Sequence, residues 1–337
     1  MRAVGLDYEH RQLLEFESAA PRLERDDQVL LRVSEVGVCG TDRALASFEF
    51  GYPPEGESHL ILGHEAVCEV VETGRAVTSL RRGDVVVPSV RRACSPPCPS
   101  CARGRRDLCV SGAYRERGIF GLHGYFAEYA VDMAADLTGV PPELAGCAVL
   151  IEPLSVVEKA VETALRYHEP SPETALVLGA GTIGILIALA LQARGLSVLV
   201  YSLEPPGHPR ARLVASAGVE YVPRLSDEKA DIVIEATGSP AAALEALKRM
   251  APLGVCCILG SPLDAEGLVP FRNLFEKNQT VFGSVNASPR SFALAVEDLG
   301  RFDPNVLAGM IRRTRFSDFG ETILGPQPST PKTVHVL

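Results

Sequence analysis

A chain of 337 residues that is 46% hydrophobic and 22% charged has the apolar content for two domains and a substantial core, which excludes a disordered or fibrous protein. A formal net charge of −9 without a basic run excludes nucleic acid and an anionic membrane surface as expected partners and leaves a small molecule. The first residues carry no apolar signal core, and the longest apolar run, near Ile183, falls short of the roughly 20 residues that cross a bilayer, so a cytoplasmic location is expected. In that compartment the nine cysteines read as metal ligands before they read as disulfides.

Up to about residue 170 the chain is β-rich, with short apolar strands such as Gln28 to Val33, Ala66 to Val71 and Asp84 to Val87 punctuated by glycine and proline. Val38-Cys39-Gly40-Thr41-Asp42 and Leu62-Gly63-His64-Glu65 place a thiol, an imidazole and carboxylates in turns beside strands, the ligand types of a catalytic zinc with an open position. The bland reading is a buried cysteine and a surface histidine, because only the fold can bring the two together. Cys94, Cys98, Cys101 and Cys109 form a denser signal, a closed and therefore structural tetrahedral thiolate site, with two disulfides or an iron-sulfur site as alternatives. Gly104-Arg105-Arg106 inside it reads as an exposed, mobile tip.

Glu152-Pro153 opens a helix whose apolar positions Leu154, Val157, Val161, Ala164 and Leu165 recur at helical spacing. His168-Glu169-Pro170-Ser171-Pro172 reads as a hinge. A strand at Thr174 to Leu178 then breaks into Gly179-Ala180-Gly181-Thr182-Ile183-Gly184 and opens a helix that Gly195 ends. Here Gly179 permits the tight turn, Gly181 lets the backbone approach a pyrophosphate, and Gly184 allows close packing of helix on sheet; the bland alternative is an ordinary glycine-rich turn. Further strands at Ser197 to Tyr201, Asp231 to Ala236, Val255 to Leu259 and Thr280 to Val285 imply a doubly wound parallel sheet with small residues at the strand ends. Ser288-Pro289 starts a helix from Arg290 to Leu299, and β material follows near the C-terminus. Cys147, Cys256 and Cys257 sit in apolar runs and read as core.

At this point the residues carry a resemblance. Cys39-Gly40-Thr41-Asp42, His59-Leu60-Ile61-Leu62-Gly63-His64-Glu65, Val87-Pro88-Ser89-Val90-Arg91-Arg92, Glu116-Arg117-Gly118-Ile119, His123-Gly124-Tyr125, Glu152 to Lys159, Glu235-Ala236-Thr237-Gly238 and Gly283-Ser284-Val285-Asn286 run in order over nearly the whole chain. As an ordered set they resemble the zinc-dependent medium-chain dehydrogenase/reductase superfamily and, within it, archaeal glucose (aldose) 1-dehydrogenases. The resemblance implies an α/β protein with a GroES-like β-rich catalytic domain at 1–170, carrying a structural zinc lobe at about 92–112. It also implies a Rossmann nucleotide-binding domain at 171–287 and a return to the catalytic domain at 288–337.

The resemblance further implies zinc-dependent oxidation of an aldose at C1 to the lactone, glucose first and galactose or xylose next, with hydride transfer to NAD(P). Two zincs are implied. One is held by Cys39 and His64, with Glu152 as a direct or water-mediated ligand and Glu65 as an exchanging or nearby carboxylate; the other is held by the four lobe cysteines. Asp42 orients His64, Thr41 passes the substrate proton outward, and Thr41, Glu116, Glu152 and Asn286 hold sugar hydroxyls. The implied cofactor set is Gly179, Gly181, Thr182, Ile183, Gly184, Ser202, Glu204, Thr237, Gly238, Ser284 and Asn286, and the implied assembly is a homodimer or homotetramer through the strand around Thr280 to Val285.

Three departures from that pattern stand out. Cys68 occupies a position where a glycine is usual and reads as a small buried thiol. Three residues separate Cys94 from Cys98 where two are usual. Finally, Tyr201-Ser202-Leu203-Glu204 replaces paired arginines for a 2′-phosphate, and Arg210 or Arg212 could fold back instead, so NAD and NADP stay open. Alternatives on the same scaffold are a zinc alcohol or polyol dehydrogenase and a catalytically silent nucleotide-binding sensor.

Overall fold

The computed structural model describes residues 1–169, 171–260, 267 and 269–337, so Pro170 of the expected hinge lies outside the described residues. Six parallel strands form one sheet in the order Glu220–Val222, Ser197–Tyr201, Thr174–Leu178, Ala230–Glu235, Met250–Ile258, Thr280–Gly283. The order reverses at Thr174–Leu178, and that switch point is where the glycine turn lies. A ligand crevice forms there in doubly wound sheets because the chain leaves toward opposite faces on either side of it. The helix Thr182–Ala193 starts at the turn and buries Ile185 to Leu191 against the sheet, nearly all of its length being apolar.

The β-rich part is organised by the strand Gln28–Gly37. It pairs with Glu65–Thr73 on one side and, along its length on the other, with Tyr129–Met133 and the C-terminal strand Lys332–Val336. In this register Gly37 lies opposite both Glu65 and Val334. A side chain on Gly37 would put its Cβ 2.3 Å from a Glu65 carboxylate oxygen, so the glycine keeps room for that carboxylate. A three-stranded sheet of Gln12–Glu17, Arg2–Asp7 and His59–Ile61 covers one end.

The helix Ile151–Tyr167 joins the two halves. Its buried Ile151, Leu154, Val157 and Val161 share one core with Val67 and Val87 of the β-rich part, with Val177 and Val255 of the parallel sheet and with Ile187 of the helix Thr182–Ala193. Cys256 and Cys257 are buried in the parallel sheet, Cys68 is buried on the strand Glu65–Thr73 in the core of the β-rich part, and Cys147 is half-buried at the edge of the shared core. No described helix is long and apolar enough to cross a membrane.

Candidate active site

Cys39 caps the N-terminus of the short helix Gly40–Leu45 in an extended conformation, and its backbone N–H donates to Asp42 Oδ2 at 2.8 Å. The other Asp42 oxygen faces His64 Nδ1 at 3.4 Å, and both residues are buried. Burial opposes a charge on His64, but the neighbouring Asp42 carboxylate outweighs it and holds the imidazole well above its ordinary value. Gly63 makes the turn that presents His64, at φ +86, where a Cβ would strike Val36 and the backbone of Phe126. Donor atoms of Cys39, His64 and Glu65 lie within 4.8 Å of one another, and the Cys39 thiol is 3.7 Å from Thr41 Oγ1.

Glu65 is also gripped from the far end of the chain. Lys332 Nζ donates to both of its carboxylate oxygens, at 2.8 and 2.5 Å, and to the carbonyl of Val38 at 3.2 Å. Burial acts against the Lys332 ammonium, yet the Glu65 charge keeps it above its usual value. Glu152, buried at the first turn of its helix, is pushed up to about 8 by burial and the Glu65 carboxylate, with His64 and Lys332 opposing and Glu116 adding to the rise. The Cys39 thiol, the His64 imidazole and the Glu65 carboxylate have the composition of a divalent-metal site; Glu152 lies outside that donor cluster but near enough to feel the Glu65 charge, a crowding that a cation relieves. Asp42 Oδ1 and His64 Nδ1 have no ideal hydrogen bond despite being buried and facing each other, as expected of a pair that tightens when the imidazole takes a ligand on its other nitrogen. The set fits zinc.

The cysteine lobe fits a second zinc. The thiols of Cys94, Cys98, Cys101 and Cys109 lie within 4.8 Å of one another, with Cys98 and Cys109 at 3.8 Å, which is roughly the edge of a tetrahedron of sulfurs at ~2.3 Å from one ion. All four are free, and the extra residue between Cys94 and Cys98 does not keep them apart. Backbone N–H groups of Cys101 and Val110 bring Cys98 down to about 5, whereas burial raises Cys101 to about 12, a conflict that a bound cation removes. The expected free tip is tied on one side: Arg106 pairs with Asp136 and donates to Ser89 Oγ at 2.8 Å, while Arg105 is held by Asp107.

Glu116 and Asn286, which the resemblance assigns to sugar hydroxyls, meet each other. Asn286 Nδ2 donates to Glu116 Oε1 at 2.9 Å, and Arg91 Nε donates to the same oxygen at 2.7 Å. Glu116 is buried, and the Arg91 guanidinium stacks 3.7 Å over the Tyr114 ring. Asn286 itself sits at φ +63, so it is both turn residue and side-chain donor.

A cavity of about 800 Å³ joins the metal-ligand cluster to the parallel sheet. Its lining includes Cys39, Glu65 and Lys332 at one end, Gly179, Gly181, Thr182, Ile183 and, beside Gly179, Thr237 in the middle, and Ser202, Glu204 and Arg210 at the other. Gly179 adopts φ +113, and Gly181 caps the helix Thr182–Ala193 with no side chain over its N–H groups, an open anion site. Gly184, Gly238, Ser284 and Asn286 do not line this cavity. Gly184 is packed so closely that its Cβ would fall 1.9 Å from Gly179 O, and the Gly238 N–H is bound by Glu235. Ser284 lines a second cavity, of about 910 Å³, beside the cysteine lobe. At the far end of the first, Glu204 pairs with Ser202 and with Arg210 at 3.4 Å, and Arg210 also donates to the carbonyls of Pro328 and Ser329, whereas Arg212 is exposed.

Sequence reasoning gave no role to Lys332, Arg91 or Arg43. The last donates to the carbonyls of Gly325 and Thr322 and lines the cavity next to Cys39. Arg91 lies in the segment Val87 to Arg92, which carries a local signal, whereas Lys332 carries none.

Two family models match the chain: the alcohol dehydrogenase GroES-like domain over residues 25–142 and the glucose dehydrogenase C-terminus over residues 145–324. Glucose 1-dehydrogenase 2 of Vulcanisaeta moutnovskia is 44% identical over 81% of this chain and 80% of its own length. The chain belongs to the glucose dehydrogenase family. Glucose 1-dehydrogenase of Methanocella arvoryzae is 36% identical over 92% of both chains. The solved structure of Haloferax mediterranei glucose dehydrogenase, in complex with NADP, Zn and gluconolactone, superposes with a TM-score of 0.91 at 30% identity, covering 100% of this chain and 99% of that one. The fold is that of the zinc-dependent medium-chain dehydrogenases, a GroES-like domain joined to a Rossmann domain.

Proposed function

We propose that this protein oxidises an aldose at C1, glucose first and galactose or xylose next, to the aldonolactone with transfer of hydride to NAD or NADP. The observation that carries the reading is the continuity of one cavity from Cys39 and Glu65 of the donor cluster to the helix N-terminus at Gly181, which has no side-chain cap. Substrate hydroxyl and nicotinamide can meet only where those two ends face each other. When bound, zinc lowers the pKa of the C1 hydroxyl and the nicotinamide accepts the hydride.

The chain's own residues supply the rest. Asp42 faces His64 Nδ1 and so leaves the other ring nitrogen for the metal beside Cys39. Thr41 Oγ1, next to the thiol, takes the hydroxyl proton outward. Lys332 ties both carboxylate oxygens of Glu65, and Glu152, buried at the first turn of its helix, is the carboxylate assigned to the zinc, directly or through water, and to a sugar hydroxyl. Glu116 and Asn286, oriented against each other by Arg91, bind sugar hydroxyls, whose alignment at the reacting carbon is worth more to the rate than added acid or base strength.

At the ribose end, Ser202 and Glu204 offer hydrogen-bond partners to hydroxyls and Arg210 offers a cation to a phosphate, so either nicotinamide cofactor enters the proposal. Structural zinc in the cysteine lobe, a division at 1–170, 171–287 and 288–337, and a cytoplasmic location complete it. A homodimer or homotetramer through the outer edge of Thr280–Gly283 belongs to it as well, since Val281 and Val285 are exposed along that edge.

The test is reduction of NAD and NADP, each in parallel, by zinc-loaded protein offered aldoses, polyols and simple alcohols. Turnover of glucose, galactose or xylose above that of alcohols is expected. Preferred turnover of simple alcohols would refute the sugar reading, and silence with every substrate would refute the dehydrogenase.

A further inference from the structure

Lys159 lies on the helix Ile151–Tyr167, about two turns beyond Glu152. Its ammonium is buried and makes two contacts from one point: Nζ is 3.0 Å from Asp107 Oδ2 and donates at 2.8 Å to the carbonyl of Val285. Asp107 belongs to the cysteine lobe, between Cys101 and Cys109, and Val285 immediately precedes Asn286. The circuit closes on the other side, because Arg91 donates both to the Asp107 carbonyl, at 3.1 Å, and to Glu116, at 2.7 Å, and Glu116 accepts the Asn286 amide. Asp107, Lys159, Val285–Asn286, Glu116 and Arg91 therefore form one ring of contacts linking the lobe to the Asn286 turn.

Asn286 has a left-handed backbone, which asparagine tolerates, and its Oδ1 accepts from the Ala287 N–H at 2.8 Å, so the turn closes locally while the direction of its amide nitrogen depends on what fixes the adjoining Val285 peptide. The Val285 carbonyl is the adjoining backbone handle, and Lys159 grips it. A buried ammonium is a costly way to fill space that a methionine could fill, so its value here is the definition of one register.

We propose that Lys159 is a positioning residue for sugar recognition: through the Val285 carbonyl it sets the Asn286 turn, and through Asp107 it makes that setting depend on the cysteine lobe. The inference rests on the reading of Glu116 and Asn286 as sugar contacts. It makes the cysteine lobe a contributor to substrate affinity and not to stability alone.

The experiment uses full-length, zinc-loaded protein carrying Lys159→Met, Lys159→Arg, and the double change Lys159→Met with Asp107→Asn, which removes both buried charges of the pair and leaves the half-exposed Arg105 to water. The Lys159→Met and double variants are expected to raise KM for glucose about tenfold while kcat changes less than about threefold, and Lys159→Arg to recover most of the loss. Calorimetric titration of glucose without oxidised cofactor should weaken by the same factor, with melting temperature and cofactor affinity of the double variant unchanged. Wild-type KM and glucose affinity in the double variant would overturn the inference, as would failure of both Met variants to fold. Glu116→Gln and Asn286→Ala, measured alongside, separate the two levels. If they raise KM and the Lys159 variants do not, the inference alone fails; if they too leave KM unchanged, the sugar-contact reading fails and takes the inference with it.

Discussion

Gly181 and Gly184 stand three residues apart in one turn, and alanine at each should do opposite things. At Gly184 a new Cβ would fall 1.9 Å from the carbonyl oxygen of Gly179 and 2.8 Å from its carbon, and both are backbone atoms that cannot swing aside. The turn has to open, at a cost on the order of 1–3 kcal/mol typical of overpacking. At Gly181 a new Cβ meets nothing within 4 Å, and the backbone there is extended, with φ −79 and ψ −174, which any residue adopts. The fold should therefore tolerate Gly181→Ala or gain about 0.4–1 kcal/mol from a less flexible unfolded chain. That methyl enters the cavity over the open helix N-terminus, where a pyrophosphate must approach the N–H groups. Loss of one charge-assisted hydrogen bond costs about 1.5–3 kcal/mol, which weakens cofactor affinity roughly ten- to hundredfold. Urea denaturation and direct titration with NAD and NADP read the two effects separately. Unchanged cofactor affinity in Gly181→Ala, or full stability in Gly184→Ala, would refute the assignment of these glycines.

Three further outcomes follow from the site. Cys39→Ser should lose the metal of its own cluster, keep that of the cysteine lobe and fall at least about a hundredfold in turnover, since even residues that only support metal ligands cost ten- to a hundredfold; metal analysis with steady-state rates checks this, and near-full activity would remove Cys39 from the ligand set. Cys98→Ser should lower stability instead, because zinc at about a thousand times its Kd contributes about 4 kcal/mol to a closed site; an unchanged melting temperature would deny the lobe a structural role. Lys332→Met leaves a buried Glu65 carboxylate without its cation, so the metal-free protein should lose about 3–5 kcal/mol in urea, and the zinc-loaded protein less. Equal losses with and without zinc would argue against a metal beside Glu65.

What the sequence disclosed follows the range of the interactions involved. The strand, glycine turn and helix around Gly181 are contiguous, and so are the four lobe cysteines, whose spacing already announces one site. The helix Pro289–Leu299 was legible from its start, Ser288-Pro289, in which the serine caps and the proline fills a position needing no N–H. The strand expected to reach Val285 stops at Gly283, because Asn286 turns the chain through a left-handed conformation that alternating apolar residues do not announce. Lys332 was illegible for a different reason. Only the pairing of the last strand with Gln28–Gly37, and the missing side chain at Gly37, bring its ammonium to Glu65. The ring through Arg91, Asp107 and Lys159 joins residues far apart in the chain, and no local pattern encodes it.

The central claim is oxidation at C1, and the most direct measurement follows the hydrogen. Zinc-loaded protein, an oxidised nicotinamide cofactor and glucose deuterated at C1 should yield reduced cofactor carrying deuterium at the nicotinamide ring, seen by NMR, while glucose deuterated at C2 should yield none. Reduced cofactor without deuterium from the C1-labelled sugar, or with deuterium from the C2-labelled one, would contradict the account.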